Sequence, residues 1–121
     1  MYRVDGPLVI LTRVTGLYPN DTWGRRVVTY RRLRCPGGSL AVRVGSDEHL
    51  FDVDQVVTAH VAGRAPRSVR IHPGEQPTLR VPLVSDNGVC SVRFTAARVR
   101  VPGGGDTRPL AAHYFAFDYS R

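Results

Sequence analysis

The chain has 121 residues and a mass of 13.4 kDa, with 17 Lys+Arg against 10 Asp+Glu and a formal charge of +7, which describes one modest basic domain and excludes a two-domain enzyme. At 42% hydrophobic and 22% charged residues, it can bury roughly two-thirds of its unfolded surface and is no disordered basic tail. No apolar run reaches the ~18 residues of a membrane span, and Met1-Tyr2-Arg3 leads into no signal-peptide core, so a soluble piece is expected.

In chain order, Leu8 to Val14 is the first β-rich run. The irregular stretch Thr15 to Arg25 follows, where Gly16-Leu17-Tyr18-Pro19-Asn20-Asp21-Thr22-Trp23-Gly24 mixes turn formers with two large aromatics. Val27 to Leu33 is again β-rich, and in Leu40-Val42-Val44 apolar residues alternate with Ala41 and Arg43, the period of a half-buried strand. Ser46 is placed to cap a short helical turn through Asp47-Glu48-His49-Leu50-Phe51, the one helical signal in the chain. Val57-Ala59-Val61 and Val69-Ile71 form a hairpin whose tip is Ala62 to Pro66. Leu79-Val81-Leu83, Val92-Phe94-Ala96, Val99-Val101 and His113-Phe115-Phe117-Tyr119 repeat the period of two. Pro36-Gly37-Gly38, Pro73-Gly74-Glu75, Asp86-Asn87-Gly88 and Pro102-Gly103-Gly104-Gly105 supply the reversals between them. The expectation is all-β: a two-sheet antiparallel sandwich or jelly roll of about nine strands, filling residues 1–121 as a single domain.

All seventeen basic residues are arginine. They are spread along the strands, alternating with apolar residues at Arg43, Arg70, Arg80, Arg93, Arg98 and Arg100, rather than gathered in one groove with aromatics for bases to stack on, so nucleic acid is not the expected partner. Arginine stems lie flat on apolar surface and their forks bind carboxylates or sugar hydroxyls, so such a sheet can still be a polar binding face. Cys35 and Cys90 have no zinc-type spacing; a disulfide joining two strand ends is the favoured reading, against two buried thiols in a cytosolic protein. A bridge implies an oxidising compartment.

The sequence has no G-x-S-x-G, no H-E-x-x-H and no glycine-rich phosphate loop, so no catalytic residue, metal or cofactor is assigned. Of the four histidines His113 is the most interesting, standing at the start of the last strand near Asp106 and Arg108. The acidic run Asp47, Glu48, Asp52 and Asp54 lacks EF-hand spacing and reads as a solvated loop before it reads as a calcium site. Asn20-Asp21-Thr22 matches a glycosylation acceptor, a short motif that arises often by accident. The constellation with most to offer is Trp23 with Tyr18 and Tyr30, because a sugar ring presents its C–H face to a flat aromatic and its hydroxyls to amides, carboxylates and arginines. Asn20, Asp21, Arg25 and Arg26 lie beside it. The competing reading makes Trp23, the sole tryptophan, an anchor of the core, whereas Tyr18, on the loop after Gly16, is expected to be exposed.

Several motifs occur in an ordered series: Gly16-Leu17-Tyr18-Pro19 and Trp23-Gly24, a strand ending in Cys35, Leu50-Phe51 after Ser46-Asp47, Pro73-Gly74 before Thr78-Leu79-Arg80-Val81-Pro82-Leu83, Cys90-Ser91-Val92-Arg93-Phe94, and Asp106-Thr107-Arg108-Pro109-Leu110 before His113-Tyr114-Phe115. From about Gly16 to Tyr119 this resembles the C-terminal, carbohydrate-binding-module-like β-sandwich domains that actinobacterial membrane glycosyltransferases carry outside the membrane. Pro109 and Ala111-Ala112, where a glycine is expected, depart from that pattern. The resemblance implies a non-catalytic accessory module, tethered to the cell membrane through its parent chain, with cell-envelope glycan and the parent glycosyltransferase as partners. Tyr18, Asn20, Asp21, Trp23 and Arg25 are the expected sugar contacts. Two rival readings are a structural domain whose arginine face, including Arg80 or Arg93, docks on the parent, and a cytosolic enzyme with free thiols.

Overall fold

The computed structural model describes residues 11–121. Eight strands form: β1 Thr12–Leu17, β2 Gly24–Arg32, β3 Gly38–Gly45, β4 Gln55–His60, β5 Arg67–Ile71, β6 Thr78–Leu83, β7 Cys90–Ala96 and β8 His113–Ser120. They pair antiparallel in two sheets, ordered β1-β2-β7-β4-β5 and β6-β3-β8, so the expected all-β sandwich holds. Of the first expected run, residues 8–10 lie outside the described residues.

Alternation sets the inner faces. Val28 and Tyr30 of β2, Val92 and Phe94 of β7 and Val57 and Ala59 of β4 bury against Leu40, Val42 and Val44 of β3 and Leu79, Val81 and Leu83 of β6. Four rings close the space between the sheets: Tyr114 and Phe117 stack with centroids 5.9 Å apart, Phe94 meets Tyr114 edge-on at 5.9 Å, and Tyr30 stacks on Phe117 at 5.8 Å. Offset and edge-on pairs of this kind add to the stabilisation from burial alone. Tyr30 is therefore a core residue, 1% exposed, and does not belong with Trp23 as a sugar contact.

Two expected elements change. Val99 to Val101 makes no strand; only Arg100 bridges Leu110, through a reciprocal pair of backbone hydrogen bonds of 2.9 and 2.8 Å. Pro102, the three glycines that follow it and Pro109 cannot sustain a ladder on either side of that bridge. After β3 the chain makes one turn, in which the Asp47 carbonyl accepts the Leu50 and Phe51 N–H groups at 3.2 and 2.9 Å. The cap is Asp47, whose Oδ1 accepts the His49 N–H at 2.8 Å. Ser46 Oγ, the expected cap, is buried with no partner among the described residues.

The last strand also departs from a strict period of two. Tyr114 lies opposite Val44, but Ala116 rather than Phe115 lies opposite Arg43, and Phe117 and Tyr119 lie opposite Val42 and Leu40. This bulge inserts one residue, so His113 and Phe115 leave the inner face that Phe117 and Tyr119 keep.

Gln55 and the disulfide hold the two ends. Gln55 is fully buried, and its amide joins β4 to the long connection between β7 and β8: Nε2 donates to the carbonyls of Arg98 and Ala111 at 2.9 and 3.0 Å, while Oε1 accepts the Arg98 N–H at 2.9 Å. At the other end Cys35 and Cys90 are bridged with Cα atoms 5.7 Å apart. Disulfides persist in oxidising surroundings outside the cytoplasm, and that is the environment this pair points to.

The bridge spans 55 residues, and the chain-entropy model gives a loop of that size about 4 kcal/mol. Cys35→Ser with Cys90→Ser should lower the urea midpoint accordingly, and the untreated native protein should take up no alkylating reagent. Gln55→Leu leaves buried backbone groups without partners, each costing about 1–3 kcal/mol. A loss of roughly 3 kcal/mol in urea unfolding is expected from it.

Candidate functional site

The connections between β1 and β2, β3 and β4, β5 and β6, and β7 and β8 all gather at the end opposite the disulfide. The first of them builds the site. Gly16, at φ 94°, lies where a Cβ would run into the Val27 carbonyl, and it opens the register shift that ends β1. Asn20 takes a left-handed conformation, φ 63°, as asparagine does more readily than most residues. Asp21 then folds back so that its Oδ1 accepts the Trp23 N–H at 2.8 Å, and the Tyr18 N–H closes the loop on the Trp23 carbonyl at 2.9 Å.

This loop is stitched to the start of β8. Tyr114 N–H donates to the Thr22 carbonyl at 2.9 Å, Gly24 N–H to Ala112 at 2.8 Å and Ala111 N–H to Gly24 at 3.0 Å. Trp23 thereby faces His113 across an antiparallel bridge. Their rings meet at a tilt of 33° with centroids 3.7 Å apart, and Phe115 stacks on the His113 ring at 5.3 Å. Phe115 can lie flat because Gly45 is beneath it; a Cβ there would sit 2.6 Å from its Cε2. The Arg43 guanidinium stands over the Phe115 ring at 5.3 Å.

Both nitrogens of His113 are engaged. Nδ1 is 2.7 Å from the Thr22 hydroxyl and Nε2 is 3.5 Å from Asp47 Oδ2, an arrangement suited to a neutral ring that accepts from Thr22 and keeps its proton toward the carboxylate. Burial pulls its pKa below the ordinary imidazole value, while Asp47 and Asp21 work in the other direction. With both nitrogens committed and aromatic rings beside it, His113 serves to hold Trp23 and Phe115 in register.

The five sequence-predicted contacts do not form one surface. Trp23 is half-buried and lies outside the central core, so it is not the core anchor. Asn20 and Asp21 are exposed near it. Tyr18 is not exposed: at 7% it is buried, its hydroxyl donates to the Pro109 carbonyl at 2.8 Å, and the Arg25 and Arg108 guanidiniums lie over its ring at 4.4 and 5.1 Å. Arg25 is thus drawn to Tyr18 by attraction of a cation to a ring face. Arg108 also grips Asp106 through Nε at 2.9 Å and Nη2 at 2.8 Å, and Asp21 through Nη1 at 2.8 Å. These bonds pull the Asp106 carboxyl down to about 2. Tyr18 and Asp21 accordingly fasten the loop to the β7–β8 connection, and Arg25 packs on Tyr18.

Sequence reasoning named Phe115, Thr22, Arg43 and Asp47 in other connections but did not place them beside Trp23. The acidic run is dispersed: Asp47 faces His113, Asp54 accepts from His72 at 2.6 Å and lies 3.8 Å from Arg70, and Asp52 lies 3.8 Å from Arg100. Among the described residues no three metal-ligating side chains converge.

No protein-family model matches the chain, and no curated protein matches it. Among solved structures it is similar to a family 6 carbohydrate-binding module whose binding sub-sites were dissected by X-ray crystallography and isothermal titration calorimetry, at 13% identity over 92% of this chain and 82% of that chain, with a TM-score of 0.42.

The shift at His113 fixes a pH response. Because its folded pKa lies below the ordinary 6.5, the unfolded chain takes up the proton first as pH falls, and stability present above that value is lost on acidification through the folded pKa. His72, raised by its bond to Asp54, acts in the opposite sense, so the test is made in a His72→Asn background. Fluorescence of Trp23 should fall below pH 6.5 as the stacked imidazole becomes a charged quencher, and His113→Asn should remove that step.

Proposed function

We propose that this domain is a non-catalytic carbohydrate-binding module that holds a sugar ring on the Trp23–His113–Phe115 rings. The observation that carries the reading is the placement of three adjoining rings outside the core, aligned by the bulge in β8 and by Gly45. Because the rings lie against one another, the Trp23 face turned away from His113 is the one that takes the C–H side of a sugar. Asp47 offers acceptors and Arg43 donors for its hydroxyls, and Asn20 stands at the rim. Tyr18, Asp21 and Arg25 serve this site by holding the loop rather than by touching the glycan.

The ordered motifs that resemble glycosyltransferase C-terminal domains support the fuller reading. In it the module belongs to a cell-envelope glycosyltransferase, is tethered to the membrane from outside through the parent chain, and retains acceptor glycan near a catalytic portion elsewhere in that chain. The disulfide is consistent with this location. In the rival reading, in which an arginine face docks on the parent, Arg80 and Arg93 belong to different surfaces, since Arg80 pairs with Ala41 in the three-stranded sheet and Arg93 with Thr29 in the five-stranded sheet.

Titration of neutral arabinan, galactan and mannan oligosaccharides, followed by Trp23 fluorescence, tests the site. One of them should bind, and Trp23→Ala or Phe115→Ala should weaken that binding roughly tenfold or more, as truncation of a central aromatic contact does. Unfolding temperature should change little, because neither ring is part of the core. Unaltered affinity in both variants, or silence with every glycan, would overturn the proposal.

A further inference from the structure

The five strands of the larger sheet, Thr12–Leu17, Gly24–Arg32, Cys90–Ala96, Gln55–His60 and Arg67–Ile71, contain eight arginines and not one acidic residue. Among the described residues the acids are confined to the connections and to Asp118 on β8. A merely solvated face mixes both signs, as the smaller sheet does with Arg43, Arg80 and Asp118. The larger sheet separates them.

Register turns this composition into a surface. Arg13 of β1 lies directly opposite Arg31 of β2, Arg31 opposite Ser91 of β7, Thr29 opposite Arg93, and Arg93 opposite His60 of β4. These residues point away from the core, and their strands are spaced about 4.8 Å apart. Like charges directly opposite one another on a sheet cost stability, and among the described residues none of Arg13, Arg31 and Arg93 has a carboxylate within 4.0 Å; on this sheet only Arg70 does, with Asp54. Arg31 further lies between two hollows: one of about 380 Å³ shared with Arg13, the other, of about 790 Å³, reaching past Ser91 to the β6–β7 turn, where Asp86 is its acidic member.

We infer that the outer face of the five-stranded sheet is a second binding surface, distinct from the ring site, that takes an acidic polysaccharide carrying carboxylates. Charge complementarity commits the occupant to a polyanion, since a row of guanidiniums without carboxylate partners among the described residues, interleaved with hydroxyls, matches carboxylates interleaved with sugar hydroxyls. Among the described residues the face has no Trp, Tyr or Phe on which bases would stack, and Leu11 and Leu33 are the apolar members of the hollow that Arg13 and Arg31 share. An extended row across three strands suits a chain rather than a single ion. The inference stands on this face alone and does not rest on the ring site.

The test is calorimetric titration with an oligogalacturonide, alongside a neutral galactan oligosaccharide, short duplex DNA and phosphatidylglycerol vesicles. The oligogalacturonide should bind at about 20 mM salt and weaken roughly tenfold or more by about 200 mM, as attraction that releases counterions does. Arg13→Gln with Arg31→Gln and Arg93→Gln should cost at least roughly tenfold in affinity, while Arg80→Gln on the other sheet and Trp23→Ala at the ring site leave it unchanged. The triple variant should keep or raise its unfolding temperature, since it removes exposed like charges that face one another, and the single Arg31→Gln variant provides the same comparison with one side chain altered. The inference is overturned by absence of binding at low salt, by equal affinity in the triple variant, or by tighter binding of DNA or vesicles than of the uronate.

Discussion

A sandwich whose last connection runs through residues 97–112 must find hydrogen-bond partners for a long piece of irregular backbone, and a single buried amide supplies three of those bonds. Gln55 begins β4 yet faces inward with its side chain fully enclosed, a placement that would be costly for any polar group left unpaired. Here the amide gives both of its N–H bonds to carbonyls of the connection, and its oxygen accepts from Arg98 and, at 3.2 Å, from the Val56 N–H. The consequence reaches the surface. Fixing Ala111 fixes the segment that pairs with Gly24 and Thr22, and that pairing sets Trp23 against His113. A second anchor, Arg108 between Asp106 and Asp21, reaches the same loop from the solvent side. The ring site is therefore the outward end of a chain of contacts that starts in the core.

The architecture was legible because burial on one side of a pleated strand leaves a period of two that needs no tertiary knowledge to read. Leu40-Val42-Val44 and Val92-Phe94-Ala96 face inward as their alternation required. It failed at His113-Phe115-Phe117-Tyr119, which alternates just as cleanly but is divided by a bulge. Nothing in those residues themselves marks the extra position. The cause is the partner strand: Gly45 leaves a space that the Phe115 ring fills, and only the pairing of β3 with β8 brings the two together.

The site was half legible for a related reason. The loop from Gly16 to Gly24 was recognisable from its turn formers and aromatics, and Trp23 and Asn20 are where a surface would need them. Tyr18, however, is buried where exposure was expected. Tyr18 finds a carbonyl for its hydroxyl on Pro109 and a guanidinium for its ring on Arg108, partners about ninety positions away that sequence distance conceals. Gln55 was invisible for the opposite reason: glutamine is usually exposed, and only the connection that closes over it makes burial favourable. The arginines were read as scattered because their distribution along the chain is even; their segregation appears only when the strands are ordered in space.

That segregation bears on how two surfaces on one small domain stay selective. Carboxylates of Asp21, Asp47, Asp52, Asp54 and Asp106 crowd the loop end, several of them already matched to a cation, while the five-stranded face carries arginine without acid. Exposed charges feel one another over a Debye length of about 10 Å at 0.1 M salt, so each surface is governed by its own residues rather than by the net charge of +7. A polyanion is drawn toward the sheet, and the acidic loops discourage it from the rings. The rings favour an uncharged sugar, whose contact with them does not depend on salt. A His113 kept neutral strengthens that division, because a protonated imidazole between Trp23 and Phe115 would place a positive charge directly behind the ring that takes the C–H side of a sugar.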